Sequence, residues 1–300
     1  MQQNEQSCFC RRNPRYCRRK TAGRNYKINK VGDFMKTDIS PQICPIDYPT
    51  DKPRHVYVCE NSPEGILSGV YDAWVSRYGH SHNYIQIADN LECNIFYEYI
   101  NVETDYDKAV NISTAVKHKI SYNFYELLYT CLQSSDPDRA DDIYRLIILG
   151  FAIGDSARSC LAYPPIQRIM KLQKNVWNET HHYMGFLRFE ELSNGYMFAR
   201  FRPQNDICST LILHFADRFP EENILIADVG RRKIALSKHG KTGLVSNPDI
   251  DFEHFDYLIS YSEKMFRDLW KTFTDSIAIK ERSNIKLQQQ LMPLRFREFM

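Results

Sequence analysis

Apolar positions recur along this chain with two different periods, and the change from one to the other divides it. In "SPEGILSGVYDAWVSRY" (62–78), Ile66, Val70, Tyr71, Trp74 and Tyr78 fall three or four apart, the spacing of one helical face. Ser62 is placed to cap that helix and Pro63 to open it. The preceding "HVYVCE" (55–60) is β-branched and aromatic and predicts a strand. A less regular segment follows and ends in "IFYEYINVETD". Helices are then predicted over "TDYDKAVNISTAVKHKI", capped by Thr104, over "SYNFYELLYTCLQ", capped by Ser121, and over "DPDRADDIYRLIILGFAIG", capped by Asp136. A fourth, "PPIQRIMKLQKNVWNETHHYM", is expected to break at Gly185.

Beyond Tyr183 the period changes from helical to alternating. "GFLRF" and "GYMFARFRP", parted by the turn signal "SNG", predict a hairpin. A helix of about three turns is expected over "DICSTLILHFADRF", then a second strand pair over "NILIADV" and "KIALS". The chain closes in two helices, "SEKMFRDLWKTFTDSIAI" and "ERSNIKLQQQLM", the latter stopped by Pro293. The expected fold is α+β: a helical layer on a small antiparallel sheet, built as strand-strand-helix-strand-strand, with C-terminal helices. It forms a single domain over 55–300, its helical part about 55–184 and its sheet-containing part about 185–300.

Charge adds a further division. Residues 1–36 carry ten Lys/Arg against two acids, and the rest of the chain carries 29 against 35. Residues 1–54 therefore read as a basic, disordered extension and linker, suited to contact with nucleic acid without sequence selectivity. The nine cysteines are odd in number and mostly set in apolar surroundings, which points to reduced thiols in a cytoplasmic protein. Cys8, Cys10, Cys17 and Cys44 match no common zinc spacing, and no metal or cofactor is expected. No apolar run reaches the length of a membrane span.

The stretch "NETHHYMGFLRF" (178–189) looks most like chemistry. On a helix Glu179 and His181 diverge by about 200°, so they form no single site, and only Glu179 and His182 have ligand spacing. A metal there would need another ligand, for which His214 is the natural choice. Glu179, His181 and Asp228 are the candidate acid/base groups for a catalytic reading. Arg188, expected on a strand near Phe186 and Phe189, and Arg200 and Arg202 on the next strand outline an arginine-bearing sheet face. Guanidinium groups beside aromatic rings suit phosphate contact and base stacking. His214 and Arg218 share a helical face; Arg231 follows Asp228 at a turn and pairs with it in the structural reading. Asn284 and Gln288 present two amides near Arg282, able to read base edges or to cap a helix. Arg188, His214, Arg218, Arg231, Arg282, Asn284 and Gln288 make up the candidate nucleic-acid-binding set.

Taken in order, Glu179-x-His181, "GFLRF", "HFADRF", "IADVGRR" and Arg282-x-Asn284-x3-Gln288-x3-Met292-Pro293 resemble a bacterial family labelled probable DNA metabolism or putative DNA repair protein. The resemblance runs from about Tyr57 to Pro293 and includes "EGILSGVYDAW" and "VETD". The chain departs from it at His182, where the family has arginine, and its basic first 50 residues have no counterpart there. Family members are typically encoded beside a radical-SAM protein, and related domains occur fused to uracil-DNA glycosylase-type domains. The resemblance implies a DNA-binding accessory partner of a radical-SAM protein in DNA metabolism or repair. The chain itself lacks the C-x3-C-x2-C motif of radical-SAM enzymes. A protein–protein adaptor without catalysis and a stand-alone base-processing hydrolase are the alternatives.

Overall fold

A computed structural model describes residues 53–91, 93–246 and 258–299, so the basic extension and its four cysteines lie outside the described residues. The chain clusters into two compact units whose boundary falls at Trp177/Asn178.

In the first unit, β1 (Arg54–Cys59) is buried along nearly its whole length. It therefore sits at the centre of a three-stranded parallel sheet, between β2 (Asn83–Ile87) and β3 (Tyr97–Asn101). Helix α1 (Pro63–Val75) makes the crossover from β1 to β2. Ser62 caps it by accepting the Gly65 amide at 3.0 Å. Gly65 has no room for a side chain, since a Cβ would stand 2.7 Å from the Glu60 carbonyl oxygen.

Helices α2 (Tyr106–Lys119), α3 (Tyr122–Leu132), α4 (Arg139–Ile153) and the start of α5 (Pro164–Phe186) complete this unit. Ser121 caps α3 as expected, accepting from the Phe124 amide. Two expected caps move downstream. Asp105 rather than Thr104 caps α2, and α4 starts after Asp138 while Asp136 accepts the Asp138 amide in the turn before it. Their apolar faces meet over Phe124, Leu128, Ile143, Tyr144 and Ile147. Gly150 lets α4 approach α3 so closely that a Cβ would overlap the Phe124 ring.

Buried charge in this core is matched. Arg145 pairs with Asp141 and donates to the carbonyls of His80 at 2.5 Å and Asn83 at 2.6 Å. Asp142 accepts two bonds from Arg168, at 2.7 and 2.5 Å.

The second unit is a five-stranded sheet in the order β4 (Glu190–Glu191), β5 (Met197–Phe201), β6 (Ile224–Asp228), β7 (Lys233–Lys238), β8 (Lys241–Ser246). The α+β class holds, as do the β5, α6, β6 and β7 elements in their expected order. The sheet is mixed rather than wholly antiparallel, because α6 (Cys208–Arg218) carries the chain over from β5 to a parallel β6. "GFLRF" is no strand. Its first two residues finish α5, which runs through Gly185, and only Glu190 and Glu191 pair with β5 across the "SNG" turn. Arg188 accordingly lies in the connection between α5 and β4. At the β7–β8 turn His239 and Gly240 both have positive φ, 48° and 73°, the mirror-image geometry that two-residue hairpins favour. The chain then forms α7 (Tyr261–Ile277) and α8 (Ile285–Leu291).

Among the described residues no single helix is long and apolar enough to cross a membrane. The described cysteines 59, 93, 131, 160 and 208 are free thiols. Three of them, Cys59, Cys131 and Cys208, are buried.

His80 supplies a test of the first unit. Its Nδ1 lies 2.8 Å from the Tyr144 hydroxyl, and burial, helped by the Arg145 charge, brings its pKa down to about 4. A base held neutral in the fold but titrating near 6.5 when unfolded takes up its proton only on unfolding, so stability falls as pH drops from about 6.5 to 4. Chemical denaturation at pH 7 and pH 4.5 should show a loss on the order of 1–3 kcal/mol that His80→Gln removes. Equal pH slopes for the two proteins would refute this.

Candidate nucleic-acid interface

The second unit places its chemistry around the short loop 203–206, which follows β5. Glu179, on the last part of α5, is buried, and its carboxylate accepts three N–H groups from that loop. They are the Gln204 amide at 2.9 Å, the Asn205 amide at 2.8 Å and the Asn205 side-chain amide at 2.7 Å. Asp228, at the end of β6, is fully buried and accepts the backbone and guanidinium N–H groups of Arg231, each at 3.1 Å. Burial raises the Asp228 pKa despite the opposing pull of Arg231. Arg231 then donates to the carbonyls of Pro203, at 3.1 Å, and Gln204. One carboxylate thus holds the loop amides while the other, through an arginine, holds its carbonyls.

Beside the loop lies a crevice formed by the end of α5, β5 and the C-terminal turn Leu294–Phe296. Arg188, Arg200, Arg202 and Arg295 line it, with the rings of Tyr183, Phe186, Phe296 and Phe299 between them. Tyr183 packs edge-on against Phe201 and Phe296, and its hydroxyl donates to the Arg202 carbonyl at 3.1 Å. Arg295 donates to the Gln204 side chain at 2.9 Å, which joins the crevice to the clamped loop.

The arginines have acidic partners at modest distances. Arg188 is 3.6 Å from Glu263, Arg200 is 3.8 Å from Glu190, and the half-exposed Arg202 is 3.2 Å from Glu298. The crevice encloses only about 10 Å³, room for roughly one water. A small-molecule site needs hundreds of Å³, so this is a surface for contact rather than a pocket for capture.

The structure scatters the other candidates. His181 is exposed, while Glu179 is buried, as their helical separation requires. His182 stacks on Phe186 and leans on Phe296. Among the described residues no group of three His, Cys, Asp or Glu side chains has the geometry to hold a metal ion. His214 and Arg218 are neighbours on α6. His214 is held below the usual imidazole range by burial first and the Arg218 charge second, and Arg218 lies over the Phe219 ring. Asn284 caps α8 by accepting the Leu287 amide at 3.0 Å, and the Gln288 carbonyl accepts from Arg297 at 2.8 Å. Arg282 is exposed, in a 3-10 turn.

Of the candidate nucleic-acid set, the crevice gathers Arg188. Arg231 instead holds the adjoining loop. Arg200 lies on β5 as expected, but Arg202 falls just past its end and Arg188 off the sheet, so the three arginines line the crevice without forming the expected sheet face. Arg295 and Gln204 were not foreseen; the only signal for Arg295 was its place in a basic-aromatic terminus, "RFREF".

Fold and site together define an α+β protein whose second unit displays an arginine- and aromatic-lined surface crevice. The chain belongs to the DUF4130 family, a domain of unknown function, whose model matches residues 137–300. No curated protein matches it. Among solved structures it is similar to a DHH domain described as a member of the s1p family of ribosomal proteins, at 7% identity and a TM-score of 0.27. That alignment covers 61% of this chain and 73% of the other, a likeness too slight to inform either fold or function.

Glu179 can be tested as a structural group. Glu179→Ala strands two buried donors of Asn205 and the part-buried Gln204 amide, and should cost about 3 kcal/mol of unfolding free energy. Glu179→Gln, which keeps one acceptor oxygen, should cost less. A Glu179→Ala protein within about 0.5 kcal/mol of wild type in urea titration would show that the loop does not depend on it.

Proposed function

We propose that this protein is a nucleic-acid-binding accessory factor in DNA metabolism or repair. The observation that carries the reading is the crevice: four arginines interleaved with aromatic rings on a surface held rigid from beneath. Guanidinium groups present donors in a planar fork that matches phosphate oxygens, and ring faces receive unpaired bases. At the half-exposed Arg202 the neighbouring carboxylate does not oppose this strongly. Exposed ion pairs contribute about 0–1 kcal/mol, so a phosphate exchanges with Glu298 at Arg202 for little cost. The role as partner of a radical-SAM protein is supported by the family resemblance alone. Of the three acid/base candidates of a hydrolase, Glu179 and Asp228 are occupied in holding the loop and His181 is exposed on α5.

One observation favours a second reading, an adaptor that binds protein and no nucleic acid. Helix α7 turns a row of large apolar side chains outward.

Fluorescence anisotropy with single- and double-stranded DNA at two salt concentrations separates the readings. Full-length protein should bind, with affinity falling as salt rises. Arg202→Ala combined with Arg295→Ala should weaken binding at least tenfold. It should also lower the slope of log affinity against log salt by about one for each phosphate that the variant no longer neutralises. Arg282→Ala, outside the crevice, is the comparison. Binding that the double variant leaves intact would remove the crevice from the function, and no binding by any form would favour the adaptor.

A further inference from the structure

Helix α7 is amphipathic but docked the wrong way round. Its side-chain contacts with the rest of the unit are made by charged and polar residues: Glu263 with Arg188 at 3.6 Å in the connection before β4, Arg267 with Glu190 of β4, and Ser262 with Glu191 of β4. Ser260 caps it, and the preceding Ile259 pairs with Leu192, so the helix is anchored at its N-terminus. None of its residues is buried. Tyr261, Met265, Phe266, Leu269, Trp270, Phe273 and Ile277 are 48–84% exposed.

At about 200 Å² per large side chain, those exposed fractions amount to roughly 800 Å² of mostly apolar surface. A typical monomer tolerates a largest patch of about 300–600 Å². A stable interface removes about 800 Å² from each partner, so this one helix carries enough for a complete interface.

We infer that α7 is the interface of a homodimer, in which two copies of the helix pack antiparallel about a two-fold axis between Leu269 and Trp270. The sequence of the stripe fits that symmetry. Residues equidistant from the midpoint meet across the axis, so Phe266 of one copy faces Phe273 of the other, and Leu269 faces Trp270. Met265 falls opposite Thr274 and Tyr261 opposite Ala278. No charged residue lies within the stripe, so the two-fold brings no like charges together. On the helical wheel Lys264, Asp268, Lys271 and Asp275 project from the far side, where they stay in water. The proposal requires neither reading of the crevice.

Sedimentation velocity of the full-length chain over a roughly hundred-fold concentration range should show a monomer–dimer equilibrium. Trp270→Glu, a change on an exposed position, should raise the dimer dissociation constant by about 30-fold or more while the far-ultraviolet circular dichroism spectrum stays that of the folded protein. Mild oxidation reports geometry independently. Leu269→Cys should yield disulfide-linked dimer above the wild-type level, and Phe266→Cys, displaced from the axis, should not. A monomer at every concentration would overturn the proposal, as would a dimer indifferent to Trp270→Glu. Cross-linking through Phe266→Cys rather than Leu269→Cys would overturn the antiparallel arrangement.

Discussion

A carboxylate removed from water must be met by hydrogen bonds or by a cation, or it will take up a proton instead. Glu179 and Asp228 meet that constraint in complementary ways, and the second unit's working surface depends on the result. Glu179 takes the N–H groups of Gln204 and Asn205, and Asp228 orients an arginine onto the carbonyls of Pro203 and Gln204. Loop 203–206 thus has backbone groups satisfied on both sides, which a short irregular connection seldom achieves unaided. Arg202 enters this loop and Gln204 within it holds Arg295, so two of the four crevice arginines take their positions from buried acids they never touch.

The same constraint recurs in the first unit, with a different consequence. Arg145 and Asp141 are bound to each other, and the arginine also ties α4 to the carbonyls of His80 and Asn83 at the start of β2. Removing either partner would leave an uncompensated charge in a core of Tyr144, Ile143 and Ile147, the costly case for buried pairs. This polar tie fixes how the helix meets the edge of a sheet only three strands wide. The ionic groups of this tie serve the fold.

Local chemistry was legible in the sequence wherever a few adjacent residues determine the outcome. Ser62 with Pro63, Ser121, the "SNG" turn and the three-turn α6 all follow from side chain-to-backbone bonding or helical spacing within a handful of positions. What was not legible depends on distant partners. β2 and β3 are five-residue strands in an irregular stretch of sequence, and they pair with the largely buried β1, one on each edge. β8 is exposed and polar, defined by its pairing with β7 across a tight turn. "GFLRF" alternates like a strand, yet its start continues the helical register of Val176, Thr180 and Tyr183, so the helix takes it. Within the site, a grouping of arginines could be anticipated from Arg188, Arg200 and Arg202 beside phenylalanines. The clamp could not, because Glu179 and Asn205 are far apart in sequence and nothing near either one announces the other.

The crevice and helix α7 share no residue, but ionic contacts join them. Glu263 and Arg267 of α7 extend a chain of ionic contacts from Arg188, through Glu263, Arg267 and Glu190, to Arg200. Two crevice arginines are therefore positioned by the helix whose opposite flank is apolar. Three of these links are loose, 3.6 Å at Arg188, 3.7 Å between Glu263 and Arg267 and 3.8 Å at Arg200, and the one between Arg267 and Glu190 is closer. An anion bound by Arg188 or Arg200 would compete with the outer links and leave the closer one standing. Whatever covers the apolar flank holds the helix, and with it Glu263, in place. If a partner covers the apolar flank and a phosphate binds the crevice, linkage requires that any preference of the phosphate for the covered state be returned as an equal preference of the partner for the phosphate-bound state.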